Sequence, residues 1–324
     1  MKAVLCKAYG MPDTLVVEEL EPLHPGKGQL VVSVKACGVN FPDTLIVQGK
    51  YQFKPELPFS PGSEVAGIVK EVGEEVKGYK AGDHVIAFTG WGGFAEEVVV
   101  DAVKLIPMPP GLDFTVASAF VLTYGTAHHA LKDRAQLQPG ETLLVLGAAG
   151  GVGLAAIEIG KQLGATVIAA ASSDEKLETC RRHGASELIN YATQDLRERI
   201  KQISGGQGID VVFDPVGGDF TEPALRSIAW KGRYLVIGFA AGDIPRIPLN
   251  LTLLKGCSIV GVFYGAFAER EPRHNAENLR ELLTWLAEGK LRPYISATYP
   301  LERAADALYD MMNRKVQGKV VLVP

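Results

Sequence analysis

Residues 142–173 constrain the fold of this chain more than any other segment. They begin with a short apolar run, residues 142–147, which is typical of a buried parallel strand. Apolar side chains then recur at helical spacing over residues 150–163, and residues 166–171 form a second apolar run. The segment therefore predicts a strand, a turn, a helix and a second strand in succession.

A cluster of glycines joins the first of these strands to the helix: Gly147, Gly150, Gly151 and Gly153. Glycine permits a tight turn and a close approach to a pyrophosphate, for which a helix N-terminus supplies free N–H groups. The order of elements predicts a dinucleotide-binding βαβ unit, although Ala148 takes the first position of the G-x-G-x-x-G pattern. A glycine-rich turn without a ligand is the alternative. The residues expected to contact the cofactor in this turn are Ala149, Gly150, Gly151 and Val152.

The bulk properties of the chain exclude several classes of function. Its formal net charge of −4 offers no basic surface for nucleic acid. No apolar run approaches the roughly 20 residues that a membrane-spanning helix needs. We therefore expect neither a nucleic-acid nor a membrane partner. Residues 1–5 favour a strand over the core of a signal peptide, so a cytoplasmic location is expected.

The cysteines lie far apart and form no C-x-x-C pair: Cys6, Cys37, Cys180 and Cys257. This spacing argues against a disulfide framework and against a cysteine-rich zinc lobe. We expect these side chains to be buried and reduced. The histidines are expected to be structural or surface residues. His128 and His129, for example, are adjacent on a predicted helix, so their side chains diverge.

The chain of 324 residues is long enough for two domains. Proline and glycine turns in the first part separate strands predicted at residues 15–20, 29–36, 64–72, 84–88 and 95–100. Residues 113–132 are predicted to be a helical link. From residue 142 onward, strands and helices alternate, which predicts an α/β fold with a doubly wound, six-stranded parallel sheet.

The predicted strands of this sheet are residues 142–147, 166–171, 187–190, 210–214, 234–239 and 258–264. The helical segments predicted between and after them are residues 150–163, 175–183, 195–203, 220–229, 249–254, 275–288 and 304–314. Residues 319–323 are predicted to form a terminal strand.

Several motifs follow one another along the whole chain. They are Cys37-Gly38-Val39-Asn40-Phe41-Pro42-Asp43, Gln48-Gly49-Lys50-Tyr51, Pro61-Gly62-Ser63-Glu64-Val65-Ala66-Gly67, the glycine cluster and Ile189-Asn190-Tyr191. Together they resemble the medium-chain dehydrogenase/reductase superfamily, and most of all its zinc-free quinone oxidoreductase (zeta-crystallin-like) branch. The resemblance implies a GroES-like catalytic domain, residues 1–123 and 267–324, and a Rossmann-type dinucleotide-binding domain, residues 124–266.

The zinc alcohol dehydrogenases of this superfamily differ from the chain at two positions. The residue that matches Asn40 is a cysteine ligand there, and the residue that matches Ser63 is a histidine ligand. Amide and hydroxyl groups do not replace thiolate and imidazole at a catalytic zinc, so we expect no bound metal. Without zinc, a conjugated acceptor is the favoured hydride partner, because its charge spreads to a distant oxygen that hydrogen-bond donors can stabilise.

The expected cofactor is NADPH. NAD-specific relatives place an acidic residue where this chain has Ala171. Ser172, Ser173 and Lys176 follow, and hydroxyls with a lysine suit a 2′-phosphate. A capping box in which Ser172 and Glu175 begin the next helix is a compatible alternative. Further cofactor contacts are expected from Thr126, Tyr191, Gly238, Phe239, Phe263 and Lys319.

Some of these cofactor contacts have simpler alternatives. Gly238, Phe239 and Phe263 are expected to end the last two sheet strands, where the nicotinamide end is expected. Lys319 is expected to reach the cofactor phosphates or ribose, and a surface lysine is the equal alternative. Thr126 is expected near the nicotinamide by resemblance, and packing inside a helix is its alternative.

The catalytic candidates also come from the resemblance. Tyr51 matches a tyrosine that enoyl-thioester reductases are thought to use on an enolate, and a phenol can donate a proton to an oxyanion. A packing aromatic is the alternative. Asn40 is expected close to nicotinamide and substrate, where its amide can donate to the acceptor oxygen, with an Asx-type turn as the alternative. Asp43 is expected to orient its neighbours.

The sequence thus predicts a zinc-independent, NADPH-dependent reductase of quinones or related α,β-unsaturated carbonyl compounds. One alternative is an enoyl-thioester reductase, in which Arg270, Arg273 and His274 meet a CoA phosphate. The other is a non-catalytic NADPH-binding protein, crystallin-like or RNA-associated. A homodimer is expected through the edge strand within residues 258–263, since relatives pair such edges.

Overall fold

The computed structural model describes the whole chain, Met1–Pro324, and it divides into two compact units. The first unit joins Met1–Leu122 to Tyr294–Pro324, and the second is Thr123–Pro293. The predicted division instead assigned residues 267–293 to the first unit. The structure groups them with the second, where Asn278 Nδ2 donates a 2.8 Å hydrogen bond to Asp133 Oδ2.

The strands in chain order are β1 (Lys2–Leu5), β2 (Val16–Glu19), β3 (Gln29–Gly38), β4 (Glu64–Val72), β5 (His84–Phe88), β6 (Glu97–Asp101), β7 (Leu105–Pro107), β8 (Thr142–Leu146), β9 (Thr166–Ala171), β10 (Glu187–Asn190), β11 (Ile209–Asp214), β12 (Ile228–Val236), β13 (Ser258–Gly261), β14 (Ile295–Pro300) and β15 (Lys319–Val323).

The helices are α1 (Phe41–Ile46), α2 (Phe114–Ala117), α3 (Val121–His128), α4 (Gly151–Gln162), α5 (Asp174–Arg182), α6 (Leu196–Ile203), α7 (Thr221–Arg226), α8 (Asn250–Lys255), α9 (Tyr264–Arg270), α10 (Pro272–Ala287) and α11 (Ala304–Met312). A π-helical segment, His129–Arg134, follows α3. None of the helices is both long and apolar enough to span a bilayer.

The second unit contains one sheet of six parallel strands in the order β10-β9-β8-β11-β12-β13. Its central strand β8 is apolar and almost fully buried from Leu143 to Leu146, as expected for a parallel strand that is covered on both faces. The order reverses between β8 and β11, where open α/β sheets bind their ligands. The predicted doubly wound, six-stranded parallel sheet is confirmed.

Near residue 230 the sequence pattern gave wrong element boundaries. Residues 220–229 were predicted as a helix, but α7 ends at Arg226 and β12 already begins at Ile228. Lys231, inside β12, has a φ of +63° and precedes Gly232. A lysine in the left-handed region followed by glycine is typical of a turn, so the pattern hid the first half of this strand.

The strand ends at β12 and β13 also differ from expectation. Gly238 and Phe239 lie after β12, which ends at Val236, and Phe263 lies after β13, which ends at Gly261. These three residues therefore follow their strands rather than end them. Tyr264, predicted in the last strand, is the first residue of α9.

The first unit is built around β3, in a seven-stranded sheet with the order β14-β15-β3-β4-β5-β7 and with β6 also paired to β3. One edge of β3 pairs with β4 along nearly its whole length. Because β3 has ten residues, its other edge holds β6 at residues 29–33 and β15 at Cys37 and Gly38. The predicted β-rich domain is confirmed, but the sequence pattern missed β7, β14 and α1.

Candidate functional site

The carboxyl end of β3 brings the starts of β4 and β15 together. Gly38 of β3 pairs with Glu64 of β4, and Val39 N donates to Val320 O of β15 over 3.0 Å. These pairings bring together five polar side chains, which we call the polar cluster: Asn40, Asp43, Ser63, Glu64 and Lys319. Each of these residues is at most 5% exposed.

Lys319 is the only cation of the polar cluster. Its ammonium donates to Val39 O over 2.9 Å and to Asn40 Oδ1, and it lies 3.7 Å from Glu64 Oε2. Burial lowers the pKa of Lys319, whereas the charges of Glu64 and Asp43 oppose that shift. The surface-lysine alternative is therefore wrong. The contact with a cofactor stays a prediction, and the ammonium already has partners inside the first unit.

Asn40 has both ends of its side-chain amide engaged inside the polar cluster. Its oxygen accepts from Lys319, and Nδ2 faces Gly38 O at 3.2 Å, Glu64 Oε2 at 3.4 Å and Ser63 Oγ at 3.5 Å. Asn40 is the N-cap residue of α1, but these contacts direct its amide into the cluster. The amide hydrogens thus have acceptors within the polar cluster, and the predicted contact of Asn40 with an acceptor oxygen stays a prediction.

The two carboxylates of the polar cluster are held mainly by backbone N–H groups. Asn40 N donates to Asp43 Oδ2 over 2.7 Å, and Leu122 N donates to Glu64 Oε1 over 3.0 Å. Burial raises the pKa of Asp43 to about 7, against the opposing effects of the Asn40 N–H bond and the Lys319 charge. Burial also raises the pKa of Glu64. Asp43 thus orients the start of α1, as expected of a positioning residue.

Tyr51 is the half-buried aromatic that follows α1 in the first unit. Its ring packs against the apolar core of this unit and lies 6.0 Å from the ring of Phe53. Burial, and then the charge of Asp43, raise the pKa of Tyr51, so the phenol keeps its proton at neutral pH. Its hydroxyl makes no hydrogen bond within the chain, which leaves it free to serve a ligand.

The glycine turn of the second unit, residues 147–153, has the geometry that the sequence predicted. Gly147 has a φ of +57°, and a Cβ there would lie 2.7 Å from Val216 Cγ2. A Cβ on Gly153 would lie 2.6 Å from Ala148 O, so α4 can pack this closely only with glycine at that position. Gly150 is the N-cap residue of α4, whose first N–H groups have no partner within the helix.

The end of β9 brings three predicted cofactor residues together. Lys176 Nζ donates to Ser172 Oγ over 3.3 Å, and Tyr191 N donates to Ala171 O over 3.1 Å. The helix cap is Ser173, whose Oγ accepts from Lys176 N, so the predicted cap at Ser172 was wrong by one residue. Ser172 is therefore not used for capping and stays exposed beside Lys176.

Asp214, a buried carboxylate at the end of β11, was not predicted from the sequence. Its Oδ1 accepts from Val216 N and Gly217 N, each over 2.8 Å. Its Oδ2 accepts from the hydroxyls of Tyr234 and Thr221. These bonds fix the loop whose Val216 packs beside Gly147. An aspartate before Pro215-Val216-Gly217-Gly218 was the available signal in the sequence.

Thr126, another predicted cofactor residue, is half-buried on α3.

The donor set of the first unit does not suit a zinc ion. The ammonium of Lys319 itself lies among the oxygen atoms of Asn40 and Glu64, and one buried cation excludes another. No group of three or more histidine, cysteine, aspartate or glutamate side chains is arranged to hold a metal ion. His128 and His129 point to different acids, Glu281 and Asp133, as their adjacent positions predicted.

The fold and these two site regions define the class of protein. A family model described as an alcohol dehydrogenase GroES-like domain matches residues 26–110, and one described as a zinc-binding dehydrogenase matches residues 151–287. The chain belongs to the medium-chain dehydrogenase/reductase superfamily, in its quinone oxidoreductase-like branch.

Individual relatives agree with this assignment over the full chain. The chain is 41% identical to the quinone oxidoreductase-like protein 2 homolog of Nematostella vectensis, over 99% of this chain and 88% of that protein. It is 35% identical to the quinone oxidoreductase of Pseudomonas aeruginosa, over 100% of this chain and 99% of that protein. The crystal structure of Escherichia coli quinone oxidoreductase complexed with NADPH matches with a TM-score of 0.93 at 31% identity, over 100% of both chains.

Proposed function

We propose that this protein is a zinc-independent reductase that uses NADPH to transfer a hydride to quinones or related α,β-unsaturated carbonyl compounds. The observation that carries the proposal is the Tyr51 hydroxyl, a protonated and unengaged donor in the half-buried part of the first unit. The relatives support an oxidoreductase, and the Escherichia coli relative is described as a complex with NADPH.

NADPH supplies the hydride when it is bound. In the second unit, Ser172 and Lys176 suit its 2′-phosphate, because Lys176 Nζ already lies 3.3 Å from Ser172 Oγ and Ala171 provides no competing acid. Ser173 and Tyr191 lie beside them. The residues that would hold the pyrophosphate are Ala149, Gly150, Gly151 and Val152, and those proposed for the nicotinamide end are Thr126, Gly238, Phe239 and Phe263.

A conjugated acceptor that receives a hydride at carbon develops negative charge at its oxygen. We assign Tyr51 to that oxygen, because its phenol is protonated at neutral pH and can donate a hydrogen bond, and then its proton, to a strongly basic enolate or hydroquinone anion. Solvent then restores the phenol proton. Asn40 and Asp43 act from inside the polar cluster, and Lys319 is assigned there rather than to the cofactor.

The experiment is NADPH oxidation against a panel of quinones, enones and enoyl-CoAs after treatment with a chelator. We expect turnover to survive chelation. Tyr51→Phe should lower kcat by about 100-fold, in the range for loss of a general acid. Tyr309→Phe is the control, because that exposed phenol bonds only Asp13 and lies outside the site. Turnover that disappears with the metal, or an unchanged kcat in Tyr51→Phe, contradicts the proposal.

The same panel separates the alternatives. His274, expected to meet a CoA phosphate, lies between Asp133 at 3.3 Å and Glu271 at 3.4 Å, which weakens the thioester alternative. If excess CoA nevertheless protects the protein from inactivation, the thioester reductase gains support. NADPH binding without turnover of any acceptor would favour the non-catalytic alternative.

We also propose a homodimer that pairs through β13. This strand is an edge of the six-stranded sheet, and Ile259 on it is 36% exposed. Trp230 on β12, Leu249 just before α8, and Leu253 and Leu254 on α8 are also exposed. Ile259→Lys should convert a dimer into a monomer in light scattering, and a monomeric wild type would exclude the dimer.

Four buried, free cysteines fit a reducing compartment, which supports a cytoplasmic location.

A further inference from the structure

The hydrogen bonds of the polar cluster run in one direction. An ammonium group has donors only, so the Asn40 atom that faces Lys319 must be the carbonyl oxygen. The NH2 group of Asn40 therefore faces the other way, with Nδ2 at 3.5 Å from Ser63 Oγ and 3.4 Å from Glu64 Oε2. Ser63 accepts in this contact, because the amide nitrogen has no lone pair to offer.

The hydroxyl of Ser63 is left with an unused proton. Its oxygen accepts from Asn40, but the structure provides no acceptor for its own O–H. The backbone around it is fixed, since Ser63 O accepts from Thr89 N over 2.8 Å and from Gly90 N over 3.3 Å. Ser63 is only 5% exposed, and a buried donor without an acceptor is uncommon in proteins. This group therefore calls for a ligand atom that accepts a hydrogen bond.

We propose that Ser63 donates a hydrogen bond to the acceptor oxygen that becomes negative during reduction, and that Lys319, acting through Asn40, orients this donor. The inference rests on the proposed function and adds a second hydrogen-bond donor to the one assigned to Tyr51. Ser63 keeps its proton throughout: the hydride bonds to an acceptor carbon, the π electrons move to the oxygen, and Tyr51 supplies the proton.

Lys319 is the positioning residue in this arrangement because it decides which way the amide of Asn40 points. With the amide reversed, Ser63 would donate to the Asn40 oxygen and present lone pairs to the substrate. Lone pairs repel a developing oxyanion, whereas a preorganised donor stabilises it. The cation of Lys319 thus sets the donor-to-acceptor direction of the hydrogen bonds that link Lys319, Asn40 and Ser63, without contacting the substrate itself.

The test compares Ser63→Ala, Ser63→Thr and Asn40→Asp with the wild type, using NADPH and the best conjugated acceptor. Ser63→Ala should lower kcat by about 100-fold, as for removal of one oxyanion-hole donor, and should leave the KM for NADPH unchanged. Ser63→Thr keeps a hydroxyl and should retain kcat within about threefold of the wild type.

Asn40→Asp tests whether the orientation of the Asn40 amide decides in which direction the Ser63 hydroxyl donates. A carboxylate has no hydrogens to offer, so Ser63 would donate to it and turn its proton away from the acceptor. We expect a loss of kcat similar to that of Ser63→Ala. The double variant should be no slower than Ser63→Ala alone, because both changes remove one donor. Folding of each variant is checked by its thermal unfolding and by NADPH affinity.

Three outcomes overturn the inference: wild-type kcat in Ser63→Ala, failure of threonine to restore kcat, or losses that multiply in the double variant. Such results leave the proposed function intact when the wild type reduces its acceptor. A wild type that binds NADPH but reduces no conjugated acceptor instead contradicts the proposed function, and this inference with it.

Discussion

The polar cluster of the first unit and the glycine turn of the second unit are built in opposite ways. The cluster consists of side chains that come from three distant strand ends and exclude water from two acids and a lysine. The turn consists of backbone from one continuous segment, and its key positions are those where a side chain would not fit. The polar cluster depends on paired charges, and the glycine turn depends on positions that have no Cβ.

This contrast teaches where each site is vulnerable. Removing one charge from a buried group leaves its partner desolvated and unpaired, which affects stability and chemistry together. Adding one carbon to a tight glycine turn moves the backbone instead, and the damage depends on the space at that single position. Matched substitutions in the two units can therefore separate the two kinds of design.

The largest effect is expected for Lys319→Met. Methionine keeps the length of the side chain but leaves Glu64 buried without its cation, so the free energy of unfolding should fall by about 3 to 5 kcal/mol. Urea unfolding measures it. Lys27→Met is the control, since its pair with Glu75 is exposed on both sides and should contribute less than about 1 kcal/mol. Equal losses in both variants would show that burial does not strengthen the role of the Lys319 charge.

The glycine turn should respond next. Gly153→Ala places a Cβ 2.6 Å from Ala148 O, so α4 must shift, and we expect a loss of up to about 3 kcal/mol in unfolding free energy. Gly150→Ala is the matched control, because its Cβ would meet nothing closer than Gly147 O at 3.5 Å. The control should unfold like the wild type and lose only NADPH affinity. Two stable variants would contradict the steric account of the turn.

Asp43 gives the polar cluster a pH dependence that the glycine turn lacks. Its pKa is about 7 in the folded protein, so the folded state holds a proton that the unfolded chain releases above roughly pH 4. The free energy of unfolding is therefore highest at low pH, falls as the pH rises from roughly 4 to 7, and levels off above the folded pKa. The free energy of unfolding should fall by about 2 kcal/mol between pH 5 and pH 7.

Asp43→Asn removes this titration. Unfolding curves of the variant and the wild type at pH 5, 6, 7 and 8 isolate the contribution of Asp43, because all other groups are shared. The unfolding free energy of the wild type, relative to that of the variant, should fall as the pH rises from 5 to 7. A difference that stays constant from pH 5 to pH 8 would mean that Asp43 is ionised in the folded state throughout this range.

The smallest effect is expected at the end of β9. Lys176→Met removes the cation beside Ser172, and we expect NADPH to bind about fivefold more weakly, or about 1 kcal/mol. NADH affinity should be unchanged, because NADH lacks the 2′-phosphate. Titration calorimetry with both cofactors measures the ratio. If both affinities fell together, Lys176 would contact the shared part of the cofactor instead.

Much of the second unit followed from local patterns. The bounds of β9 and β10 agree with the predicted ones, and the helix after the glycine turn differs by a single residue at each end. These elements have strong apolar periodicity and clear caps, which act over a few residues. The boundary at β12 failed because Lys231 bends the strand, and no local pattern distinguishes a bent strand from a turn.

The first unit was less accessible to the same reasoning. The sequence pointed to Asn40, Asp43 and Tyr51 through resemblance, and it treated Lys319 as a cofactor or surface residue. The pairing of β15 with the end of β3 decided otherwise, since it puts Lys319 beside Asn40 across 279 positions of the chain. Neither the spacing of residues nor the composition of the sequence reveals that two polar groups so far apart along the chain are buried together.

The sequence by itself determined the alternating strands and helices around the glycine turn, the turn itself and the absence of an acid at Ala171, because propensity, periodicity and backbone freedom are local properties. Only the tertiary structure decided that a lysine of the last strand faces an asparagine and a glutamate, and that a serine hydroxyl keeps an unused proton. These features depend on strand register and desolvation, which exist only after distant segments have packed together.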